Sequence, residues 1–295
     1  MGLDDDGFCQ IPAHFYVVMY PKAPGPIGIF DSGYGGLTIF DKIRQHMPAY
    51  DYLYLGDNAR APYGVRSFEV VYQFTRQAVS YLFQAGCQLV ILACNTASAK
   101  ALRTIQQRDL PSWDPARRVL GVIRPTVECV DHISQTKHVG IVGTTGTITS
   151  QSYSIEIGKL FPHIQVTGEA CPMWVPLVEN NEFDSPGADY FVRKHLDHLL
   201  QVDPLIDTLI LGCTHYPLLM RKIQLYLPKQ VHPFAQGERV AASLEDYLHR
   251  HPEMDSRLTK GASCRFLTTE AASKFSEAAS LFLNAPSPCV EHIEL

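Results

Sequence analysis

The sequence predicts an α/β protein of two similar parallel-sheet domains related by pseudo-symmetry, with a candidate active site in the cleft between them. Short apolar runs alternate with helical patterns along the 295 residues, which is typical of parallel sheets with helical crossovers. Two blocks, at residues 89–96 and 208–215, share one build: a buried strand, a small residue, a cysteine and short polar residues. Because loops of an open parallel sheet gather at the carboxyl ends of its strands, we expect both cysteines in the cleft.

Composition and charge exclude several classes of protein. Apolar residues make up 46% of the chain, enough for globular cores, and a net charge of −5 argues against a nucleic-acid or membrane-surface binder. No apolar run approaches the roughly 18 residues that span a bilayer. Asp4, Asp5 and Asp6 give the N-terminus the wrong charge for a signal peptide. We therefore expect a cytoplasmic protein.

The cysteines predict free thiols rather than disulfides or a metal site. None belongs to a C-x-x-C pair, and none has zinc-ligand spacing to other cysteines or histidines. One cysteine at a strand end is ordinary packing, but two in matched frames favour chemistry. The chain has eight: Cys9, Cys87, Cys94, Cys129, Cys171, Cys213, Cys264 and Cys289.

The first half of the chain predicts strands and helices in alternation. A glycine-rich turn at 31–36 joins the first strand to the first helix. It is either an anion site, formed by free N–H groups at the helix start, or simply a tight turn. The predicted strands are 27–30, 51–55, 89–93 and 119–123, and the predicted helices are 37–46, 67–85 and 96–108.

The second half repeats this order. A strand at 139–142 leads into a polar turn at 143–147 and a helix that begins near residue 149. Two prolines place residues 170–179 in a loop that ends at Glu179, whose carboxylate is either functional or simply solvated. The second cysteine strand begins at residue 208; strands at 230–234 and 265–268 and helices at 216–227, 238–250 and 269–283 complete the prediction.

Two thiols that face one cleft suggest a racemase or epimerase. Either Cys94 or Cys213 would remove a proton from a carbon as thiolate, and the other would return one to the opposite face. A helix start lowers the pKa of a thiol, and both cysteines are predicted at such starts. Asp31 would hold a substrate ammonium or assist Cys94, and His215 would assist Cys213. Hydroxyl and amide groups would stabilise charge on a carboxylate as its α-proton leaves: Ser32, Asn95, Thr96, Thr144, Thr145, Thr147 and Thr214.

Four blocks, within a stretch from about residue 27 to at least 220, resemble the signature of bacterial glutamate racemases. They are Ile29-Phe30-Asp31-Ser32-Gly33 with Gly35-Gly36, Gly56-Asp57 to Pro62-Tyr63-Gly64, Ala93-Cys94-Asn95-Thr96-Ala97-Ser98, and Leu211-Gly212-Cys213-Thr214-His215-Tyr216-Pro217-Leu218. The resemblance implies a two-domain α/β fold that makes D-glutamate for peptidoglycan. It also implies that the reaction needs no cofactor, neither pyridoxal phosphate nor a metal.

The resemblance also implies roles for individual residues. Cys94 would act on D-glutamate and Cys213 on L-glutamate, assisted by Asp31, Glu179 and His215. The implied substrate contacts are Asp31, Ser32, Tyr63, Gly64, Asn95, Thr96, Thr214 and His215. We expect an N-terminal extension at 1–26, a first domain at 27–124 plus 236–295, and a second domain at 125–235.

Other functions remain open at this point. Aspartate racemases share the fold and both thiols, but that branch resembles a pattern with glutamate where this chain has His215, which favours glutamate as substrate. A related decarboxylase branch keeps only one of the two cysteines. A non-enzymatic alternative is DNA gyrase binding, which some glutamate racemases show. The extension at 1–26 and Gln236, where many relatives have an acidic residue, serine or proline, depart from the family pattern. We expect glutamate as the partner, no nucleic acid or membrane, and a homodimer.

Overall fold

The ten strands form two sheets in which every pairing is parallel. The computed structural model describes residues 20–283 and 288–295. Its strands are β1 (Ile27–Asp31), β2 (Tyr52–Gly56), β3 (Leu89–Leu92), β4 (Arg118–Gly121), β5 (His138–Gly143), β6 (Gln165–Ala170), β7 (Thr208–Gly212), β8 (His232–Phe234), β9 (Cys264–Thr268) and β10 (Val290–His292). The first sheet has the order β10-β9-β2-β1-β3-β4, and the second has the order β6-β5-β7-β8.

The two sheets repeat one topology. The order β2-β1-β3-β4 in the first sheet corresponds, strand for strand, to β6-β5-β7-β8 in the second, while β9 and β10 extend the first sheet beyond β2. The repeat places β3, which precedes Cys94, and β7, which precedes Cys213, at equivalent positions. The predicted fold class is confirmed. The exact domain limits at residues 26, 124 and 235 stay a prediction.

Burial explains why the central strands are continuous apolar runs. All residues of β1, β2, β3 and β7 are buried, as expected for parallel strands with helices on both faces. The helices are α1 (Leu37–His46), α2 (Phe68–Gln84), α3 (Asn95–Lys100), α4 (Leu102–Thr104), α5 (Leu110–Trp113), α6 (Ile123–Ile133), α7 (Thr145–Thr149), α8 (Ser152–Leu160), α9 (Trp174–Glu179), α10 (Pro186–Val202), α11 (Met220–Tyr226), α12 (Gly237–Arg250), α13 (Pro252–Asp255) and α14 (Ala272–Leu283). None of the described helices combines the length and hydropathy of a bilayer-spanning segment.

Three local predictions differ from the structure. The helix predicted at 96–108 is interrupted after Lys100 and passes through a π-helical turn, Ile105–Asp109, before it ends at Trp113. Pro111 has no N–H to donate to the preceding turn, which favours this widening. The polar turn predicted at 143–147 becomes α7, because the Thr144 hydroxyl caps the helix by accepting from the Thr147 N–H at 3.2 Å.

The loop predicted at 170–179 is wrong in its second part, which forms α9. Pro176 is the third residue of this helix, where a proline is tolerated because the first N–H groups of a helix have no intrahelical acceptor. Glu179 is therefore the last residue of a helix rather than part of a loop.

Most of the predicted extension, residues 1–19, lies outside the described residues. The described remainder packs on the first sheet's helices: the Tyr20 ring lies edge-on to Phe83 at 5.7 Å, and Gly25 forms a bridge with Leu258. The buried Arg117 guanidinium donates to the Pro21 carbonyl at 2.5 Å, which fixes the chain as it enters β1.

Candidate active site

Loops from both sheets enclose a cavity of about 310 Å³. The loops follow β1, β2 and β3 of the first sheet and β5, β6 and β7 of the second, so the cavity lies at the carboxyl ends of the strands. Twelve of the predicted site residues line it: Ser32, Tyr63, Gly64, Cys94, Asn95, Thr96, Thr144, Thr145, Glu179, Cys213, Thr214 and His215. Asp31 and Thr147, also predicted, lie behind its wall.

Cys94 caps α3 from the end of β3. Its Sγ accepts from the Ala97 N–H at 3.4 Å and lies 3.2 Å from the Ser32 hydroxyl. Burial, together with the Asp31 carboxylate, raises the pKa of Cys94 to about 12, although the hydrogen bonds from Ser32 and Ala97 oppose the shift. Cys94 is therefore a protonated thiol at neutral pH.

Asp31 is almost completely buried, with only 1% of its surface exposed. Its Oδ1 accepts from the Gly33 N–H at 3.0 Å, whereas its Oδ2 has no hydrogen-bond partner among the residues the structure describes. Burial raises the pKa of Asp31, and the positive charge of His215 opposes that rise. Because a buried carboxylate oxygen without a partner is costly, Asp31 is set up to accept a donor from a ligand or from a neighbouring group.

Cys213 follows β7 and is joined to a histidine and a carboxylate. The His215 Nδ1 lies 3.8 Å from the Cys213 Sγ, and the Nε2 of the same ring lies 2.9 Å from the Glu179 carboxylate. Burial alone would lower the pKa of His215, but the hydrogen bonds with Cys213 and Glu179 outweigh it and raise the pKa to about 10. His215 is thus an imidazolium at neutral pH, and both of its nitrogens donate.

Three threonine hydroxyls meet where the two halves face each other. The Thr96 Oγ1 lies 2.9 Å from the Thr144 Oγ1 and 3.3 Å from the Thr147 Oγ1, and the last two oxygens are 3.1 Å apart. The Gly64 carbonyl accepts from the Gly146 N–H at 2.7 Å beside them. A Cβ on Gly64 would lie 2.8 Å from Thr144, so only glycine permits this approach. The cluster presents short donors and acceptors of the kind that bind a carboxylate.

Tyr63 contributes its ring, rather than its hydroxyl, to the wall of the cavity. The side chain is 1% exposed, and its hydroxyl donates to the Asp57 carboxylate. The cavity also has an apolar wall that the sequence did not reveal, formed by Ala61, Pro62, Val65, Pro172, Val175 and Pro176. The available signal was the prolines that follow β2 and β6, Pro62, Pro172 and Pro176.

Gln236 and Tyr153 are the other residues that sequence reasoning missed as part of the site. The Gln236 Oε1 accepts from the Asn95 amide at 2.8 Å, and the Tyr153 hydroxyl donates to the Asn95 Oδ1 at 2.5 Å. Neither residue lines the cavity. Both instead hydrogen-bond to the side chain of Asn95, which does line the cavity.

A second groove, of about 580 Å³, adjoins the cavity on its outer side. We call it the outer groove; Tyr34, Asn58 and the α14 residues Lys274 and Phe282 lie on its walls. The Phe282 ring lies edge-on to the His215 ring, with 5.6 Å between centroids. The two spaces share a partition, which consists of Ala61, Pro62, Glu179 and Asn180.

The cysteines of the described segments are all free thiols. Within residues 20–283 and 288–295, no group of three or more His, Cys, Asp or Glu side chains is placed to hold a metal ion. The chemical groups assembled around the cavity are thus two thiols, an imidazolium, carboxylates and small polar groups. Such a set suits proton transfer at a carbon next to a carboxylate.

Comparison with known proteins gives consistent matches. The sequence profile of the Asp/Glu/Hydantoin racemase family matches residues 27–235. A glutamate racemase of Ruegeria sp. is 40% identical over 267 residues, which cover 87% of this chain and 96% of that protein. The crystal structure of a glutamate racemase from Bacillus anthracis has a TM-score of 0.83 and 34% identity, covering 92% of this chain and 98% of that chain. That of the Francisella tularensis glutamate racemase in complex with D-glutamate has a TM-score of 0.82 and 30% identity, with the same coverage of 92% and 98%.

Proposed function

Since the chain belongs to the Asp/Glu/Hydantoin racemase family and is an amino-acid racemase, we propose that it interconverts L- and D-glutamate with Cys94 and Cys213 as its two bases. The observation that carries the proposal is the position of the two thiols: they follow equivalent strands of two repeated sheets and line one cavity of about 310 Å³. The names of the relatives and the D-glutamate bound to the Francisella tularensis enzyme support glutamate as the substrate.

The neighbours of the two thiols favour Cys213 as the base and Cys94 as the acid in the reaction of L-glutamate. His215 is an imidazolium whose Nδ1 lies 3.8 Å from the Cys213 Sγ and donates toward it. Cys94 is held as a neutral thiol by its burial and by Asp31. One thiol is therefore ready to accept a proton and the other to donate one.

The reaction then needs two proton transfers on opposite faces of one carbon. The Cys213 thiolate forms an S–H bond as the Cα–H bond of L-glutamate breaks, and the electron pair of that bond moves into the α-carboxylate. The Cys94 thiol then gives its proton to the other face of the planar carbon, and a Cα–H bond forms while Cys94 becomes a thiolate. Both transfers are general acid–base steps.

The polar groups of the cavity hold the charges of the substrate. The threonine cluster of Thr96, Thr144 and Thr147, together with Asn95, offers hydroxyl and amide donors to carboxylates. Thr147 acts from behind the wall by fixing the other two hydroxyls. Asp31 and Glu179 supply negative charge on either side, and Asp31 attracts the substrate ammonium. Donors at the α-carboxylate would stabilise the negative charge that develops in the transition state.

In the cell, we propose that the product D-glutamate is used in peptidoglycan synthesis and that the enzyme acts in the cytoplasm as a homodimer. Val65, which lines the cavity, and Phe68, the first residue of α2, are 69% and 52% exposed and support a contact with a second copy. Light scattering on the purified protein measures the oligomeric state directly.

Polarimetry on L-glutamate with reduced protein tests the activity, and L-aspartate is the matched control substrate. We expect loss of optical rotation with glutamate, without added pyridoxal phosphate and after dialysis against EDTA. Faster turnover of aspartate, a requirement for added pyridoxal phosphate, or loss of activity after dialysis against EDTA would contradict the proposal.

The same reaction in D2O tests the two-base mechanism. If each face has its own thiol, the earliest D-glutamate carries deuterium at Cα, whereas unreacted L-glutamate keeps its hydrogen. One base serving both faces would return part of the original hydrogen to the product. Substantial protium in the first D-glutamate, measured by mass spectrometry, would overturn the two-thiol mechanism even if glutamate were racemised.

A further inference from the structure

A buried chain of hydrogen bonds runs behind Asn95, the residue that follows Cys94 and lines the cavity. It joins Asn95 to Gln236, Tyr153 and Thr126, and none of the four side chains is more than 3% exposed. Thr126 lies on α6, where the chain passes from the first sheet to the second, and Gln236 precedes α12, where it returns. The chain of bonds therefore connects both crossings to the substrate cavity.

The direction of each hydrogen bond follows from Thr126. Its single hydroxyl hydrogen is donated to the Val122 carbonyl at 2.9 Å, so toward Gln236 the hydroxyl can only accept. The Gln236 Nε2 donates one hydrogen to the Thr126 hydroxyl at 2.7 Å and its second hydrogen to the Tyr153 hydroxyl at 2.6 Å. The amide of Gln236 is thereby oriented, with its Oε1 toward Asn95.

This orientation determines the amide of Asn95. The Gln236 Oε1 accepts one Asn95 Nδ2 hydrogen at 2.8 Å, and the Tyr153 hydroxyl donates to the Asn95 Oδ1 at 2.5 Å. Burial raises the pKa of Tyr153, so this phenol keeps the hydrogen that it donates. The oxygen of Asn95 is engaged, and one amide hydrogen remains for the cavity.

We propose that Thr126, Gln236 and Tyr153 are positioning residues that present an N–H of Asn95, rather than its oxygen, to a carboxylate of the substrate. The inference rests on the proposed function, because it assumes a substrate with carboxylates. Asparagine oxygens and nitrogens have nearly the same shape, so only the partners behind the side chain decide which one faces a ligand. An oxygen in that place would repel the carboxylate instead of binding it.

Thr126→Val is the sharpest test, because valine keeps the shape of threonine and removes the acceptor at the far end of the chain. We expect the KM for L-glutamate to rise about tenfold, the effect of roughly one lost hydrogen bond, while kcat changes little. Thr126→Ser keeps the hydroxyl and is expected to retain wild-type KM. A merely structural defect would lower kcat by reducing the folded fraction, and serine would not necessarily rescue it.

Gln236→Glu is the second variant. An ionised carboxylate cannot donate to Thr126 or Tyr153, so the Tyr153 hydroxyl turns toward it and leaves the Asn95 oxygen free to rotate. We expect kcat/KM to fall about a hundredfold, as expected when a donor to a charged group is lost. Gln230→Glu makes the same chemical change at an exposed position and is expected to keep wild-type kinetics.

The side-chain amide signals of Asn95 in 15N NMR spectra, assigned by their loss in Asn95→Asp, report the orientation without turnover. We expect them to exchange slowly with solvent in the wild type and to shift in Thr126→Val but not in Thr126→Ser. Unchanged signals with unchanged KM in Thr126→Val, or equal losses in both Thr126 variants, would overturn the inference. If the wild type does not racemise glutamate, the proposed function fails, and the amide signals alone decide whether the chain of bonds orients Asn95.

Discussion

The two cysteines occupy equivalent places in a repeated fold, but their neighbours differ. Cys94 caps α3 and contacts a hydroxyl, that of Ser32, with the Asp31 carboxylate close enough to raise its pKa. Cys213 caps no helix: a 3₁₀ turn starts three residues later, at Tyr216, and the partner of its Sγ is the His215 imidazolium. The repeated topology places the two thiols, and the loops after the strands give them different neighbours: a hydroxyl and a carboxylate beside Cys94, and an imidazolium beside Cys213.

This comparison limits where asymmetry can be observed. Because enantiomers have equal free energies in solution, kcat/KM must be the same in both directions for the wild type and for every variant. The difference between the half-sites therefore shows in kcat and KM separately, in isotope exchange of one enantiomer, and in thiol reactivity. In contrast, kcat/KM reports only the total loss of activity that a substitution causes.

Removing one thiol at a time should have the largest effect. We expect Cys94→Ala and Cys213→Ala each to lower racemisation about 10⁴-fold, since each removes one of two obligatory general acid–base groups. In D2O, Cys94→Ala should still exchange the α-hydrogen of L-glutamate only, and Cys213→Ala that of D-glutamate only. NMR of each enantiomer measures the exchange.

The control for the cysteine variants is Cys289→Ala, which changes an exposed thiol and should leave activity intact. Circular dichroism should show an unchanged fold in all three proteins. Near wild-type racemisation by either Cys94→Ala or Cys213→Ala would contradict the mechanism, and exchange with the opposite preference would reverse the assignment of the thiols.

Glu179→Gln should have the next largest effect, which it exerts through the imidazolium beside Cys213. The Glu179 carboxylate helps to raise the pKa of His215 to about 10, so its loss should lower that pKa and move the high-pH limb of kcat/KM to lower pH. We expect kcat/KM at pH 8 to fall roughly tenfold to a hundredfold. A high-pH limb that does not move would show that Glu179 does not support the imidazolium.

Asp31→Asn should lower the activity and increase the stability of the folded protein. The pKa of Asp31 is raised in the folded protein, so the ionised carboxylate costs stability once pH exceeds that pKa. We expect kcat/KM to fall about tenfold. The free energy of unfolding at pH 8 should rise by about 1–3 kcal/mol, and the gain should shrink as pH falls and the wild-type group becomes protonated.

Asp31→Asn should also lower the pKa of Cys94 and speed its alkylation by iodoacetamide. The matched control is Asp197→Asn, whose side chain is 52% exposed and should alter neither measurement. A variant less stable than wild type at pH 8 would contradict the assigned cost of burying this charge.

Ser32→Ala should have the smallest effect and the opposite sign on thiol reactivity. The Ser32 hydroxyl lies 3.2 Å from the Cys94 Sγ and lowers the pKa of that thiol. Its removal should raise the pKa further, slow alkylation of Cys94 and lower kcat/KM about threefold. Faster alkylation would mean that Ser32 accepts from the thiol instead of stabilising the thiolate.

The sequence was informative wherever a short stretch determines its own structure. Apolar strands, the turn before α1 and the two cysteine blocks could be located because their signals lie within ten residues. The sequence predicts a loop at Glu179 because a proline such as Pro176 usually breaks a helix, although a proline in the first turn of a helix costs little. The sequence likewise predicts a turn at Thr144, whose hydroxyl instead caps α7.

Contacts between distant residues could not be predicted in this way. Gln236 and Asn95 are 141 positions apart, and nothing near Gln236 indicates that its amide faces the cavity loops. Similarly, Asp31 lies in the predicted block, yet the structure places it at the end of β1, buried behind the cavity wall. Side-chain environments of this kind depend on how two sheets pack, which local patterns do not encode.

The partition between the cavity and the outer groove affects when His215 can keep its positive charge. Glu179 belongs to that partition and also accepts from the His215 ring at 2.9 Å. A molecule that passed between the two spaces at this point would have to displace the Glu179 carboxylate. The carboxylate would then lie farther from the imidazole, and the pKa of His215 would fall. Passage through the partition and an intact Glu179–His215 ion pair would therefore exclude each other.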